Sequence, residues 1–122
     1  MLTVTYMAKD DYYVIVGKIL VFLYSKLKGK TSKNTEEYLA PCTGDFPISQ
    51  EYWDFVIQSM HERHLIAGLW QLVAPDGSIL EAHVIENTHI TVEGIDFLQD
   101  NSKIRKVLRL IPMAAQIADL WR

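Results

Sequence analysis

The chain is short of several things, and each shortage excludes something. It holds one cysteine, Cys42, in 122 residues, so no internal disulfide can brace it. No positively charged segment leads into an apolar run with a small-residue cleavage site, and with no disulfide framework the expected location is the cytoplasm. The longest apolar run, Tyr12 to Tyr24, is shorter than the roughly 20 residues a membrane span needs, and it contains Gly17 and Lys18. A buried helix is expected there, with no membrane contact. Repeats and low-complexity segments are absent. So are a phosphate-binding glycine loop, a nucleophile elbow and paired catalytic carboxylates, which makes enzymatic function the least expected class.

Basic charge is scarce in the middle of the chain. The net charge is -3 and the isoelectric point about 5.7. Residues 49 to 98 carry eight acidic side chains (Glu51, Asp54, Glu62, Asp76, Glu81, Glu86, Glu93 and Asp96) against one base, Arg63. That segment has a net charge of -7, the residues before it +1 and those after it +3. The bases gather on its flanks, as Lys26, Lys28, Lys30 and Lys33 and as Lys103, Arg105, Lys106 and Arg109.

What is present is a set of well-marked elements. The length suits one cooperative core spanning 1–122, with about 8–101 as its body and 102–122 as a C-terminal helix. Met1 to Tyr6 alternate apolar and hydroxyl side chains like a short edge strand, and Met7 ahead of Ala8-Lys9-Asp10-Asp11 reads equally as a start. From Asp10 or Asp11 as N-cap, Ile15, Ile19, Phe22, Leu23 and Leu27 recur at helical spacing, and Gly29 ends the helix. Asn34 caps a short second helix, and Pro41, Gly44 and Pro47 enforce a loop. Ser49 caps a third helix, with Ile48 and Trp53 placed as a hydrophobic staple. Its buried stripe is Trp53, Val56, Ile57, Met60 and His64.

Alternation after Ile66, the turn Pro75-Asp76-Gly77-Ser78 and the return Ile79 to Ile85 predict a hairpin. Thr91 caps a fourth helix, where Gly94 removes a side chain at a close approach to the sheet. Ser102 caps a last amphipathic helix through Ile104, Val107, Leu108 and Ile111, interrupted at Pro112. This order predicts an α+β chain of winged helix-turn-helix type, mainly helical, with a small antiparallel β-hairpin wing and a C-terminal helix.

The opening of the third helix, Ile48-Ser49-Gln50-Glu51-Tyr52-Trp53, its close at Leu65-Ile66, and Ile90-Thr91-x-x-Gly94-x-x-Phe97-Leu98 before Asn101-Ser102 carry a resemblance. From about Asp10 to Leu108 the chain resembles the YjcQ family, small winged-helix proteins of Gram-positive bacteria and their phages. The resemblance implies that fold and a bacterial or prophage origin. It transfers no catalytic residue and no ligand.

A winged helix usually reads DNA by placing its third helix in the major groove, an affinity that rests on lysine and arginine contacts to phosphate. Here that helix is acidic, and each close approach of Glu51 or Glu62 to a phosphate would cost roughly 1 kcal/mol in water. The helical wheel presents Glu51, Phe55, Gln58, Ser59 and Glu62 outward, an exposed aromatic ringed by polar groups that suits a protein partner of unidentified type. The bland alternative buries Phe55 under the second helix or a loop. The two basic clusters are phosphate contacts only in the alternative function, a DNA-binding transcriptional regulator; otherwise they are solvated faces. Ile117, Leu120 and Trp121 offer apolar surface for a homodimer helix, against the alternative that this segment folds back over the first helix. His61 and His64 have a spacing compatible with metal ligation but no second ligand pair, so no metal or cofactor is expected. With no basic neighbour in sequence, Cys42 is expected to be inert.

Overall fold

The apolar run beginning at Tyr12 folds as helix α1, Ala8–Leu27, in a computed structural model that describes residues 8–120. Val16, Ile19, Leu20, Val21, Phe22 and Leu23 are each at most 2% exposed. A helix that is apolar all round has to be covered all round, and the later elements do this in turn. The chain forms the buried helix expected here: of the apolar positions read at helical spacing, Ile15, Ile19, Phe22 and Leu23 are buried, while Leu27 in its last turn is exposed. Asp10 and Asp11 lie inside the helix, which already runs at Ala8, and so do not cap it. It ends as expected at Gly29, whose φ of 71° is the left-handed conformation that favours glycine. The strand expected at Met1 to Tyr6 lies outside the described residues.

Helix α2, Thr35–Tyr38, starts at Asn34, whose side chain accepts the Glu37 N–H at 3.0 Å. The loop that follows buries Phe46 completely, edge-on to Trp53 with ring centroids 5.2 Å apart. Helix α3, Gln50–Glu62, starts at Ser49, whose hydroxyl accepts the Tyr52 N–H at 3.1 Å. Trp53, Val56, Ile57 and Met60 are its buried stripe, as the spacing predicted. His64 is a correction: the helix ends at Glu62, and the chain turns through a φ of 61° at His64, leaving that side chain exposed.

Four short strands follow: β1 (Ile66–Ala67), β2 (Trp70–Val73), β3 (Ile79–His83) and β4 (His89–Ile90). Strands β2 and β3 form the antiparallel hairpin, with Trp70 opposite His83, Gln71 opposite Ala82 and a bulge at Leu72/Val73. At its tip the Asp76 carboxylate accepts from the Ser78 hydroxyl at 2.6 Å and the Ser78 N–H at 2.9 Å, which holds that carboxyl below its usual range. Gly77 turns the chain with a φ of 91°. The second pairing, β1 with β4, sets Ile66 opposite Ile90 and was not legible from alternation, because two-residue strands carry no period.

That small sheet fixes helix α4, Val92–Asp100, against the end of α3. The Thr91 hydroxyl accepts the Gly94 N–H at 2.9 Å and donates to the His64 carbonyl at 2.6 Å. A Cβ at Gly94 would overlap the Leu65 carbonyl oxygen, which also accepts the Thr91 N–H at 3.1 Å. Glycine is therefore required here by a close backbone approach.

Helix α5, Ser102–Val107, is capped by Asn101, whose side chain accepts from the Lys103 and Ile104 N–H groups; Ser102 is the first helical residue and not the cap. The expected C-terminal helix over 102–122 is also corrected. Beyond Val107 the chain runs as three short 3-10 turns, Leu108–Leu110, Pro112–Gln116 and Ala118–Leu120. Proline opens the second of them, since it lacks the N–H that would continue the helix before it. These turns fold back so that Ile111, Ala114, Ile117 and Leu120 are buried in the core around α1. The result is an α+β chain, mainly helical, with a small antiparallel hairpin and C-terminal helical turns. Among the described residues no helix is long and apolar enough to cross a membrane.

Two glycines permit close packing, and substitution should separate them. Gly94→Ala forces a methyl into a backbone carbonyl and is expected to lower stability by about 1–3 kcal/mol. At Gly17 an added Cβ would lie 2.7 Å from Ile111 Cδ1, the far end of a flexible side chain. The helix preference of alanine, about 1 kcal/mol, offsets that shift, so Gly17→Ala is expected to change stability by about 1 kcal/mol or less. Urea unfolding of both variants measures the difference, and equal losses would contradict this account.

Candidate functional site

The rotation of α3 is set by its apolar stripe, and that stripe decides what the helix presents outward. With Trp53, Val56, Ile57 and Met60 turned into the core, Glu51, Phe55, Gln58 and Glu62 are exposed. Phe55 is 59% exposed, so its ring is not buried under α2 or a loop. It does have aromatic neighbours: Tyr12 edge-on at 6.2 Å between centroids and Tyr52 stacked at 6.4 Å. Tyr12 in turn meets Tyr13 at 5.1 Å. Ser59 departs from the wheel, being half-buried. It donates to the Val56 carbonyl at 2.8 Å and shares a 2.7 Å hydrogen bond with the Tyr12 hydroxyl, so it ties α3 to α1.

The polar groups of this face mostly pair along the helix itself. Gln58 donates to Glu62 at 3.3 Å and Gln50 to Asp54 at 2.9 Å, each four residues on. Arg63 lies over the Phe97 ring of α4, 5.0 Å from its centroid. At the hairpin side, His61 contacts the Gln71 amide at 3.3 Å, which links the end of α3 to β2. Among the described residues no group of three or more histidine, cysteine, aspartate or glutamate side chains is placed to hold a metal ion. Cys42 is exposed, with its Sγ 3.5 Å from the Ile48 carbonyl oxygen.

The two basic clusters are distributed over α1. Lys103 stands over Tyr13, 5.5 Å from the ring centroid, beside the aromatic patch. Arg105 on α5 is half-buried, while Lys106 and Arg109 are exposed. At the other end of α1, Lys26 forms an ion pair with Glu86 at 2.8 Å and donates to the Lys33 carbonyl at 2.6 Å. Glu86 also accepts the Thr35 N–H at 2.7 Å, so it joins the exit of the hairpin to the α1–α2 connection. Lys28 and Lys33 lie over the rings of Tyr24 and Tyr38. The C-terminal turns bring Leu110 and Met113 opposite Lys18, Lys30 and Lys33, enclosing an open groove of about 620 Å³ that sequence spacing did not reveal. Asp45 stands in that groove; it and burial together push the Tyr38 hydroxyl above its usual range, burial being the larger cause.

The proposed dimer surface is corrected by burial. Ile117 is 1% exposed and Leu120 fully buried within the same chain, so the segment folds back on α1 and these side chains are not free for a partner. Trp121 lies outside the described residues.

The family model described as YjcQ protein matches residues 18–117, from inside α1 to the C-terminal turns. The chain belongs to the YjcQ family. The match takes in α3, the hairpin, α4 and α5, the elements whose capping residues carried the resemblance, and it extends past Leu108. No curated protein and no solved structure matches this YjcQ-family chain.

The Lys26 side-chain hydrogen bond, with the Thr35 N–H next, holds the Glu86 carboxyl below its usual range. A carboxyl depressed in the folded state contributes stability above its unfolded pKa of about 4.3, and this is lost as pH falls through the lower folded value. Glu86→Gln is therefore expected to flatten the acid limb of the stability curve, measured by urea midpoints from about pH 6 to 3. An unchanged acid limb would show that this carboxylate is not linked to folding.

Proposed function

We propose that this YjcQ-family protein is a winged-helix domain without enzymatic activity, a bacterial or prophage regulator in the cytoplasm that acts through protein–protein contact. Its partner surface is the exposed face of α3, with Phe55 as anchor and Glu51, Gln58 and Glu62 around it. The observation that carries this reading is the exposure of Phe55 on a helix whose outward charges are acidic. Aromatic side chains at the centre of a polar rim supply much of the binding energy in protein interfaces. The same acidic charges repel phosphate, which is what a groove-reading helix must approach.

The double substitution Phe55→Ala and Glu62→Arg removes the anchor and reverses a rim charge. Loss of a partner at about tenfold or more in affinity is expected, from about 2 kcal/mol for an aromatic anchor. Quantitative capture from a host lysate, followed by binding measurements on the recovered partner, reads this. Identical partners at identical affinity would remove α3 from the interface.

A second reading, DNA binding by a transcriptional regulator, is favoured by one observation, the groove where Lys18, Lys30 and Lys33 converge. It predicts anisotropy changes with mixed genomic DNA at low salt, falling steeply as salt rises and weakened by Lys28→Ala and Lys30→Ala. No signal at low salt would eliminate it.

A further inference from the structure

An exposed apolar patch lies on the β2–β3 hairpin, where a DNA-reading wing would carry lysine or arginine. Leu72, Val73, Ile79 and Leu80 are all exposed, and Leu80 reaches 65%. Between β3 and α3 this surface descends into a groove of about 160 Å³. Ile79 and Leu80 form one wall, Asp54, Gln58 and His61 the other, and Glu81 stands on the β3 side. The groove is small, with Ile79, Leu80 and Ala82 as the apolar part of its strand side, and has room for side chains and not for a ring system of cofactor size. Its lining carries two carboxylates, Asp54 and Glu81, beside two imidazoles, His61 and His83, with His83 Nε2 3.4 Å from Glu81.

These features restrict the occupant. A second copy presenting the same groove would set Asp54 and Glu81 against another acidic pair, which disfavours self-pairing. An anionic lipid surface or a nucleic acid meets the same repulsion. The outer edge of β3 has no ladder partner, but an added strand would have to lie about 4.8 Å from it inside the groove, whose roughly 160 Å³ admits side chains and not a length of backbone. What remains is a helix laid across the groove, held by apolar side chains about one turn apart and by cationic side chains at its margins.

We propose that the α3–β3 groove binds a basic amphipathic helix of the partner protein, its apolar residues seated on Ile79 and Leu80 and its lysines or arginines paired with Asp54 and Glu81. This rests on the reading of α3 as a protein-binding element and gives that partner a chemistry. It also moves the centre of contact from Phe55 toward the wing.

Two synthetic peptides of about five helical turns test it, one built of leucine and lysine at amphipathic spacing and one with glutamate in place of every lysine. Amide shifts of the isotope-labelled protein locate each. The basic peptide is expected to shift Gln58, His61, Leu80 and Glu81, with affinity falling as salt rises, and the acidic peptide to shift nothing. Leu80→Ser, at an exposed position where folding does not depend on it, is expected to weaken binding by about tenfold or more. Asp54→Asn with Glu81→Gln is expected to weaken it further than Glu93→Gln with Asp96→Asn, which removes equal charge elsewhere. Equal effects of the two charge pairs, or an unaffected Leu80→Ser, would overturn the groove assignment. Shifts confined to Phe55 and its neighbours would overturn it too, while leaving the interaction role of α3 intact. A natural partner insensitive to Phe55→Ala and Glu62→Arg yet lost on Leu80→Ser would support the groove and displace the Phe55 face.

Discussion

Everything in this protein is arranged around the need to cover α1. From Ile15 to Tyr24 that helix has a single side chain reaching out, Lys18, which donates to the Asp45 carbonyl and lies over the Phe46 ring. A helix without a polar side cannot rest on a surface; it has to be enclosed, and its stability comes from that enclosure more than from propensity. Helices α3, α4 and α5, strand β4 and the C-terminal turns each bury their apolar side against it. The demand reaches the end of the chain, where Ile117 and Leu120 are consumed by the core.

Covering α1 also sorts the charges. Each covering element turns its apolar stripe inward, so its charged residues necessarily face out. For α3 these are acidic, and for the segments around α5 mostly basic. The segregation seen along the sequence thus becomes a segregation of surfaces. The two meet at borders, where Lys26 pairs with Glu86 and Lys103 stands over Tyr13 at the edge of the aromatic patch. The β2–β3 hairpin escapes the sorting, because it reaches beyond α1 and leaves Leu72, Val73, Ile79 and Leu80 without cover.

Where local chemistry dominates, the elements were legible in advance. Asn34, Ser49 and Thr91 each accept the N–H that their capping role predicts, and Gly29 and Gly77 take the left-handed conformations their turns require. Cap and turn are decided within four or five residues, so spacing suffices. The errors arose where a neighbour far along the chain decides. His64 fits the α3 stripe by period, yet the chain has to turn there so that Leu65 and Ile66 can meet Thr91 and Ile90. Asn101, not Ser102, caps α5; both residues are suitable by type, and the chain path chose between them. Of the candidate face, Glu51, Phe55, Gln58 and Glu62 were placed correctly by the wheel, whereas Ser59 was drawn inward by Tyr12 across 47 residues.

The sequence by itself determined the order of elements, the caps and turns that bound them, family membership and the acidic character of the middle segment. These depend on residue type and short spacing, which a linear chain displays. Tertiary structure alone decided which elements enclose α1, that the C-terminal residues close the core as short turns, and that Lys18, Lys30 and Lys33 share a groove with Leu110 and Met113. It alone left the hairpin's apolar residues open beside Asp54. Those outcomes depend on which surfaces run out of partners once α1 is covered, and that competition is settled among residues distant in sequence.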